Sequence, residues 1–314
     1  MSRVFRLRAA GVVAILGVLV LAGCSGASTD TTAQADGVFV GADGVTIDAV
    51  DASRIVTLSG DATEFVFALG LGASVVATDV TTVAPPEAVT LPKVGIGRFL
   101  NAEGVLKNSP TLVIGDTQTS PSTAIEQIRA AGVPVAILEV PTTFEGLYEK
   151  VTDLGLLLHT PAAAAALNER MQSEITAASP DVEGSVERPR IAYVYTRGPD
   201  VMLLFGKGMT TTPVITAAGG ADAGVEAGVD GTVAVTPEAL AAAAPDVIVV
   251  PSEGYAVLGG FDGLTAIPGF AATPAGANGA ILAYPEGDFL TFGPRIAASI
   301  RLLAEDLASL PTAP

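Results

Sequence analysis

From Arg54 onward, short apolar runs rich in β-branched residues alternate with stretches whose apolar positions recur every three to four residues. Arg54-Ile-Val-Thr-Leu-Ser reads as a strand. Asp61-Ala-Thr-Glu-Phe-Val-Phe-Ala-Leu-Gly reads as the helix after it, with Asp61 as N-cap, Glu64 three residues on, and Gly70 or Gly72 as the stop. Ser74-Val-Val-Ala-Thr, Thr111-Leu-Val-Ile-Gly and Val133-Pro-Val-Ala-Ile-Leu are further strands, separated by short helices at Asn101–Leu106 and Ser122–Ala131. Such alternation predicts βαβ units around a parallel sheet. From Thr143 to Ala178 the chain is almost continuously helix-forming, with a break at His159-Thr-Pro161. Pro161 suits the first turn of a second helix capped by Thr160. The 17 residues from Ala162 to Ala178 would span about 25 Å at 1.5 Å per residue. Strand and helix alternation resumes at Arg190-Ile-Ala-Tyr-Val-Tyr.

A repeat underlies this order. Asn101-Ala-Glu103-Gly-Val-Leu-Lys-Asn-Ser-Pro110-Thr-Leu-Val-Ile matches Thr236-Pro-Glu238-Ala-Leu-Ala-Ala-Ala-Ala-Pro245-Asp-Val-Ile-Val: in each a Glu stands seven residues before a Pro, and an apolar strand follows. The expected fold class is therefore α/β: two Rossmann-like lobes with parallel sheets, joined by a long connecting α-helix. The divisions read from the pattern are a signal segment at 1–23, a tether at 24–45, an N-terminal lobe at 46–142, a connecting helical segment at 143–179 and a C-terminal lobe at 180–314.

The start of the chain follows different rules. Arg3, Arg6 and Arg8 precede an apolar run from Ala9 to Gly23 that is 15 residues long, short of the roughly 20 needed to span a bilayer. Leu21-Ala-Gly-Cys24 closes it and a polar Ser/Thr/Gly stretch follows. This resembles the lipobox of bacterial lipoproteins. The resemblance implies that Cys24 is lipidated and becomes the mature N-terminus, anchored at the outer face of the cell membrane.

Charge then narrows the function. The 314 residues carry a formal net charge of −17, and loss of the three leader arginines makes the mature chain more acidic still. A chain this acidic, with no basic stripe, repels phosphate backbones, which excludes nucleic acid as a partner. Cys24 is the single cysteine, leaving no disulfide and no thiolate metal site.

Taken with the lipobox, the paired lobes and the Glu–Pro repeat, the chain resembles the substrate-binding lipoproteins of bacterial ABC importers. The subgroup is the one with a rigid inter-lobe helix, which serves cobalamin, ferric siderophores and haem. Three segments resemble the haem branch: Val94-Gly-Ile-Gly-Arg98-Phe-Leu-Asn-Ala-Glu103-Gly-Val, the Gly259–Gly276 stretch, and Phe292-Gly-Pro-Arg295. The resemblance implies a non-enzymatic, monomeric protein that captures haem as transported ligand, or alternatively a ferric siderophore or corrinoid, and delivers it to an ABC importer permease dimer. Glu103 and Glu238, one per lobe, would dock on that permease. Haem relatives place a Tyr or His one or two residues before the arginine matched by Arg98; here Ile96 and Gly97 stand there.

Candidate ligand contacts follow from residue chemistry. Tyr255, expected in a loop just past the strand Asp246–Pro251, is the iron-ligand candidate, since phenolate oxygen suits ferric iron and ligands bind beyond the carboxyl ends of parallel strands. Arg98 could pair with a propionate or other carboxylate. Met209, in a loop after a strand, could offer a thioether. Tyr193 and Tyr195 are read as strand packing with at most one facing the core, and His159, the sole histidine, as a helix-end residue. Arg295 is read as structural. A hydrolase is disfavoured: the chain has no Gly-x-Ser-x-Gly elbow, no His-Glu-x-x-His motif and no second histidine.

Overall fold

The computed structural model describes residues 38–48, 50–181 and 188–310. Cys24 and the signal segment lie outside the described residues. Two short strands open the described chain, β1 (Phe39–Val40) and β2 (Thr46–Ile47), paired antiparallel. Phe39 and Ile47 are both buried in the main apolar cluster. Ordered packing thus begins ahead of residue 46, where the sequence reading ended the tether: Phe39 and Ile47 are buried together, Ala42 N–H donates to Ile137 O at 2.8 Å, and Asp43 pairs with Arg129 at 2.6 Å.

The first sheet holds β3 (Ile55–Thr57), β4 (Val75–Ala77), β5 (Leu112–Asp116) and β6 (Val135–Leu138) in the order β4-β3-β5-β6, all parallel. Their near-continuous Val/Ile/Leu runs are buried on both faces, as helix-covered parallel strands require. The second sheet holds β7 (Arg190–Thr196), β8 (Met202–Phe205), β9 (Ala221–Asp222), β10 (Thr232–Ala234), β11 (Val247–Pro251) and β12 (Ile281–Tyr284). Its order is β10-β8-β7-β11-β12, with β9 beside β7. β7, β11, β12 and β9 are parallel; β8 alone is reversed, pairing antiparallel with β7 on one side and with β10 on the other. The tight Arg197–Val201 connection, closed by Arg197 N–H donating to Val201 O, is too short for a crossover and forces the hairpin.

The connecting segment comprises two helices, Phe144–Leu157 and Pro161–Ala178. Between them His159 adopts a left-handed backbone (φ +56°), and Thr160 N–H closes onto Gly155 O. In the longer helix Ala164, Leu167, Met171, Ile175 and Ala178 are buried, one stripe at helical spacing. That stripe packs between the helix Phe144–Leu157 and the last helix, Ile296–Ser309. The resulting apolar cluster runs without interruption from the first sheet (Ile55, Leu112, Ile114) through Leu154 and Met171 to the second (Ile191, Tyr193, Val249). Separate clusters cover the outer face of each sheet.

Direct contacts tie the lobes. Arg295 Nε and Nη2 donate to the two carboxylate oxygens of Glu64 at 2.9 and 2.8 Å, and Phe144 stacks on Phe292 at 5.7 Å. A shared core, a helical strut and a bidentate ion pair together resist bending between the sheets. Among the described residues no helix is long and apolar enough to cross a membrane.

Candidate functional site

Parallel strands present their carboxyl ends to one side of each sheet, and that is where α/β folds bind ligands. On the first lobe this edge carries the segment after β4, the segment after β5, and Val94–Leu100. Buried Asp79 staples the first to the third. Its carboxylate accepts from Thr81 N–H at 2.9 Å and Thr81 Oγ1 at 2.6 Å and from Gly97 N–H. Burial pushes this carboxyl up to about 6. Val80 N–H donates to Gly95 O, Ser120 N–H to Gly97 O and Leu100 N–H to Ser120 O, at 2.8–2.9 Å. The Gly97–Phe99 turn is thereby held through its backbone, while the side chains of Arg98 and Phe99 are exposed. Arg98 forms no ion pair among the described residues. A Cβ on Gly97 would lie 2.6 Å from Leu58 O, so a ligating side chain fits at position 96 and not at 97.

On the second lobe the edge is built around Tyr195, near the end of β7. Arg197 Nε donates to the Tyr195 hydroxyl oxygen, and its guanidinium carbon sits 5.7 Å from the Tyr195 ring centre. Arg197 Nη2 also reaches Glu286 Oε1 at 2.8 Å, and Glu286 N–H donates to Glu253 Oε2 at 3.3 Å. Tyr193 lies one step deeper, fully buried, its ring tilted against Phe205 at 5.0 Å and stacked on Phe289 at 5.9 Å. Its hydroxyl has no hydrogen-bond partner among the described residues, and burial pushes the phenol well above its ordinary range. Residues i and i+2 of a strand share a face, so Tyr193 and Tyr195 point the same way. The expectation that at most one faces the core is corrected: both pack on Phe205, Tyr193 fully and Tyr195 half-buried.

Tyr255 is not in a loop. It belongs to the helix Ser252–Leu258, which docks so tightly on β7 that a Cβ on Gly254 would fall 1.9 Å from Thr196 O. Glu253 and Val257, four residues apart, share the helix face toward Glu286 and Gly198. Tyr255, two residues from each, is about 200° around the helix and packs on the outer cluster with Leu264 and Phe270. Burial, and then Asp262, raise its phenol. The structure does not bring Tyr255 to the Tyr195 cluster.

Met209 is likewise elsewhere. Because β8 runs against β7, with Leu204 beside Val194, the chain leaves β8 toward the beginning of β7. Thr212, three residues past Met209, donates to Asp222 of β9 at 2.7 Å, and Asp222 pairs with Ile191. Met209 itself packs on the main core. Tyr284 is taken up by Asp306 at 2.6 Å.

The repeat is realised in three dimensions. Asn101 Oδ1 caps the helix Ala102–Leu106 through Gly104 N–H, and Thr236 Oγ1 caps Pro237–Ala243 through Ala239 N–H. Glu103 and Glu238 each occupy the second helical position, both exposed. Each helix leads back into a parallel strand, β5 or β11, so both glutamates stand at the carboxyl edge of their sheet.

The sequence profile of the family described as periplasmic binding protein matches residues 55–287. The periplasmic heme-binding protein RhuT from Roseiflexus sp. RS-1, solved in its apo form, superposes with a TM-score of 0.78 at 38% identity, covering 83% of this chain and 99% of that one. The heme-binding protein HmuT superposes at 0.80 with 32% identity, covering 86% and 89%. HmuT is also solved with a histidine, a tyrosine or an arginine replaced by alanine, the arginine two positions after the tyrosine. A cobalamin-binding protein of Halobacterium salinarum is 30% identical over 168 residues, 51% of this chain and 44% of that protein. The chain thus spans under half the length of this curated relative.

Proposed function

We propose that this chain, which belongs to the periplasmic binding protein family, captures haem between its two lobes and delivers it to an ABC importer. The observation that carries the reading is the Tyr195–Arg197 pair at the carboxyl end of β7. The Arg197 N–H fixes the phenolic oxygen at the edge of the sheet, and tyrosine is an established axial ligand of haem iron. The tyrosine and arginine replaced in HmuT have the same spacing as Tyr195 and Arg197. The histidine replaced there precedes its tyrosine by as many residues as Ile96 precedes Tyr195. Iron is then held from the second lobe by Tyr195, with Arg98 available to a propionate. This moves the ligand assignment from Tyr255 to Tyr195 and leaves Met209 without a role in the site.

Glu103 and Glu238 suit docking on a permease: one per lobe, exposed and related by the repeat. The protein works outside the cytoplasmic membrane as a monomer, held there through lipid on Cys24. It acts as a carrier and not as an enzyme.

Corrinoid binding is the second reading, favoured by the cobalamin-binding relative. Titration with haemin and, separately, with cyanocobalamin tests both. The haem reading expects a protein-bound Soret band saturating at stoichiometric haemin, retained in Tyr255→Phe and weakened at least tenfold in Tyr195→Phe. Equal binding by parent and Tyr195→Phe overturns the ligand assignment, and saturable cobalamin binding without haemin binding selects the second reading.

A further inference from the structure

The first-lobe edge has no iron ligand to offer, yet it is not a featureless surface. Phe99 is 80% exposed, more than any other large apolar side chain among the described residues. Val80 and Val83, on the neighbouring segment, are 52% and 54% exposed. A lone exposed apolar residue needs no explanation, but several gathered on one edge mark a contact surface. These are gathered by construction. Asp79 accepts hydrogen bonds from both segments, Val80 N–H is tied to Gly95 O, and Ser120 braces the Phe99 turn from behind through Gly97 O, Leu100 N–H and Arg98 O. The backbone beneath Phe99 is therefore held in place before any ligand arrives, so little ordering cost remains to be met on binding.

The occupant follows from what stands nearby. Val83 lies against Gly287, where a Cβ would come within 2.7 Å of Val83 Cγ2. Gly287 adjoins Glu286, the partner of Arg197 and, through it, of Tyr195. The apolar edge and the Tyr195 cluster thus adjoin where the two lobes meet. An apolar surface with a cation, Arg98, on the same turn and a phenolic oxygen on the adjoining lobe fits a flat, largely apolar ring that carries carboxylates at its margin.

Resting on the haem reading above, we infer that Phe99, with Val80 and Val83, forms an apolar wall that holds one face of a tetrapyrrole ring independently of its metal. The first lobe contributes affinity by covering the ring; the second contributes it by binding iron. Because the wall contacts carbon and not metal, an iron-free porphyrin should use it equally well.

The test measures binding of haemin and of metal-free protoporphyrin IX by fluorescence and absorption titration of the full chain. Phe99→Ala should weaken both by a similar factor, about tenfold, whereas Tyr195→Phe should weaken haemin alone. Phe99 lies outside the core, so thermal unfolding of Phe99→Ala should match the parent, separating lost contact from lost fold. Unchanged protoporphyrin binding in Phe99→Ala overturns the wall, as does weakening confined to haemin. A parent that binds protoporphyrin as tightly as haemin, with both weakened in Phe99→Ala, supports the wall and removes the iron-ligand role of Tyr195. Failure of the parent to bind either porphyrin overturns both.

Discussion

Replacing Arg295 by Leu would test how the lobes are held together. Glu64 is 4% exposed and takes both of its charge-assisted hydrogen bonds from Arg295. Removing one partner of a buried pair leaves an uncompensated charge, at a cost of about 3–5 kcal/mol. Arg295 is itself 45% exposed, and Asp288 also lies within 3.7 Å of it, so solvent screening lowers the expectation to about 2 kcal/mol. At this chain length that corresponds to roughly 4–8 °C in Tm. The pH dependence is the sharper signature. Burial raises the Glu64 carboxyl, Arg295 opposes this, and Asp61 and Asp288 reinforce it. Without Arg295 every remaining influence is upward. A carboxyl whose folded pKa exceeds its unfolded one favours the folded state at low pH and loses that contribution as pH rises through the folded value. The deficit of Arg295→Leu should therefore be small at pH 5 and full at pH 8. Adding Glu64→Gln should recover much of it at pH 8, since no buried charge then remains. Urea unfolding at the two pH values measures this directly. A deficit that is equal at both, or larger on the acid side, would refute the reasoning.

Two further outcomes are expected. Asp79, pushed up to about 6 by burial, should follow the same sign, so Asp79→Asn should exceed the parent in stability at pH 8 by about 1–3 kcal/mol and lose that advantage below about pH 4; urea unfolding that finds it weaker at pH 8 counts against a strained carboxylate. Reversing both Glu103 and Glu238 to Arg should abolish ligand uptake in cells while leaving ligand affinity intact, and normal uptake in that variant removes the docking assignment.

Much of the architecture was legible in the chain because its causes are local. Val/Ile runs at 55–57, 112–114 and 247–250 must be buried on both faces, and they are. Thr143, Asn101 and Thr236 cap helices from their own side chains, and Pro161 starts one for want of an N–H. The paired positions of Glu103 and Glu238 follow from the same local signals repeated. Asp61 shows the limit of this reasoning: read as an N-cap, it lies inside the helix Gly60–Ala68 and binds Lys150 Nζ across the fold. Which tyrosine stands at the carboxyl edge of the second sheet was a matter of tertiary structure alone. Tyr195 reaches the edge because β7 ends there and Arg197 turns back onto it, and Tyr255 is turned away by the docking of Gly254 on Thr196. Glu64 and Arg295, 231 residues apart, meet only once a single core has drawn both sheets together. Periodicity along a chain reports which side chains share a face, but the partner of that face is chosen by packing between elements distant in sequence.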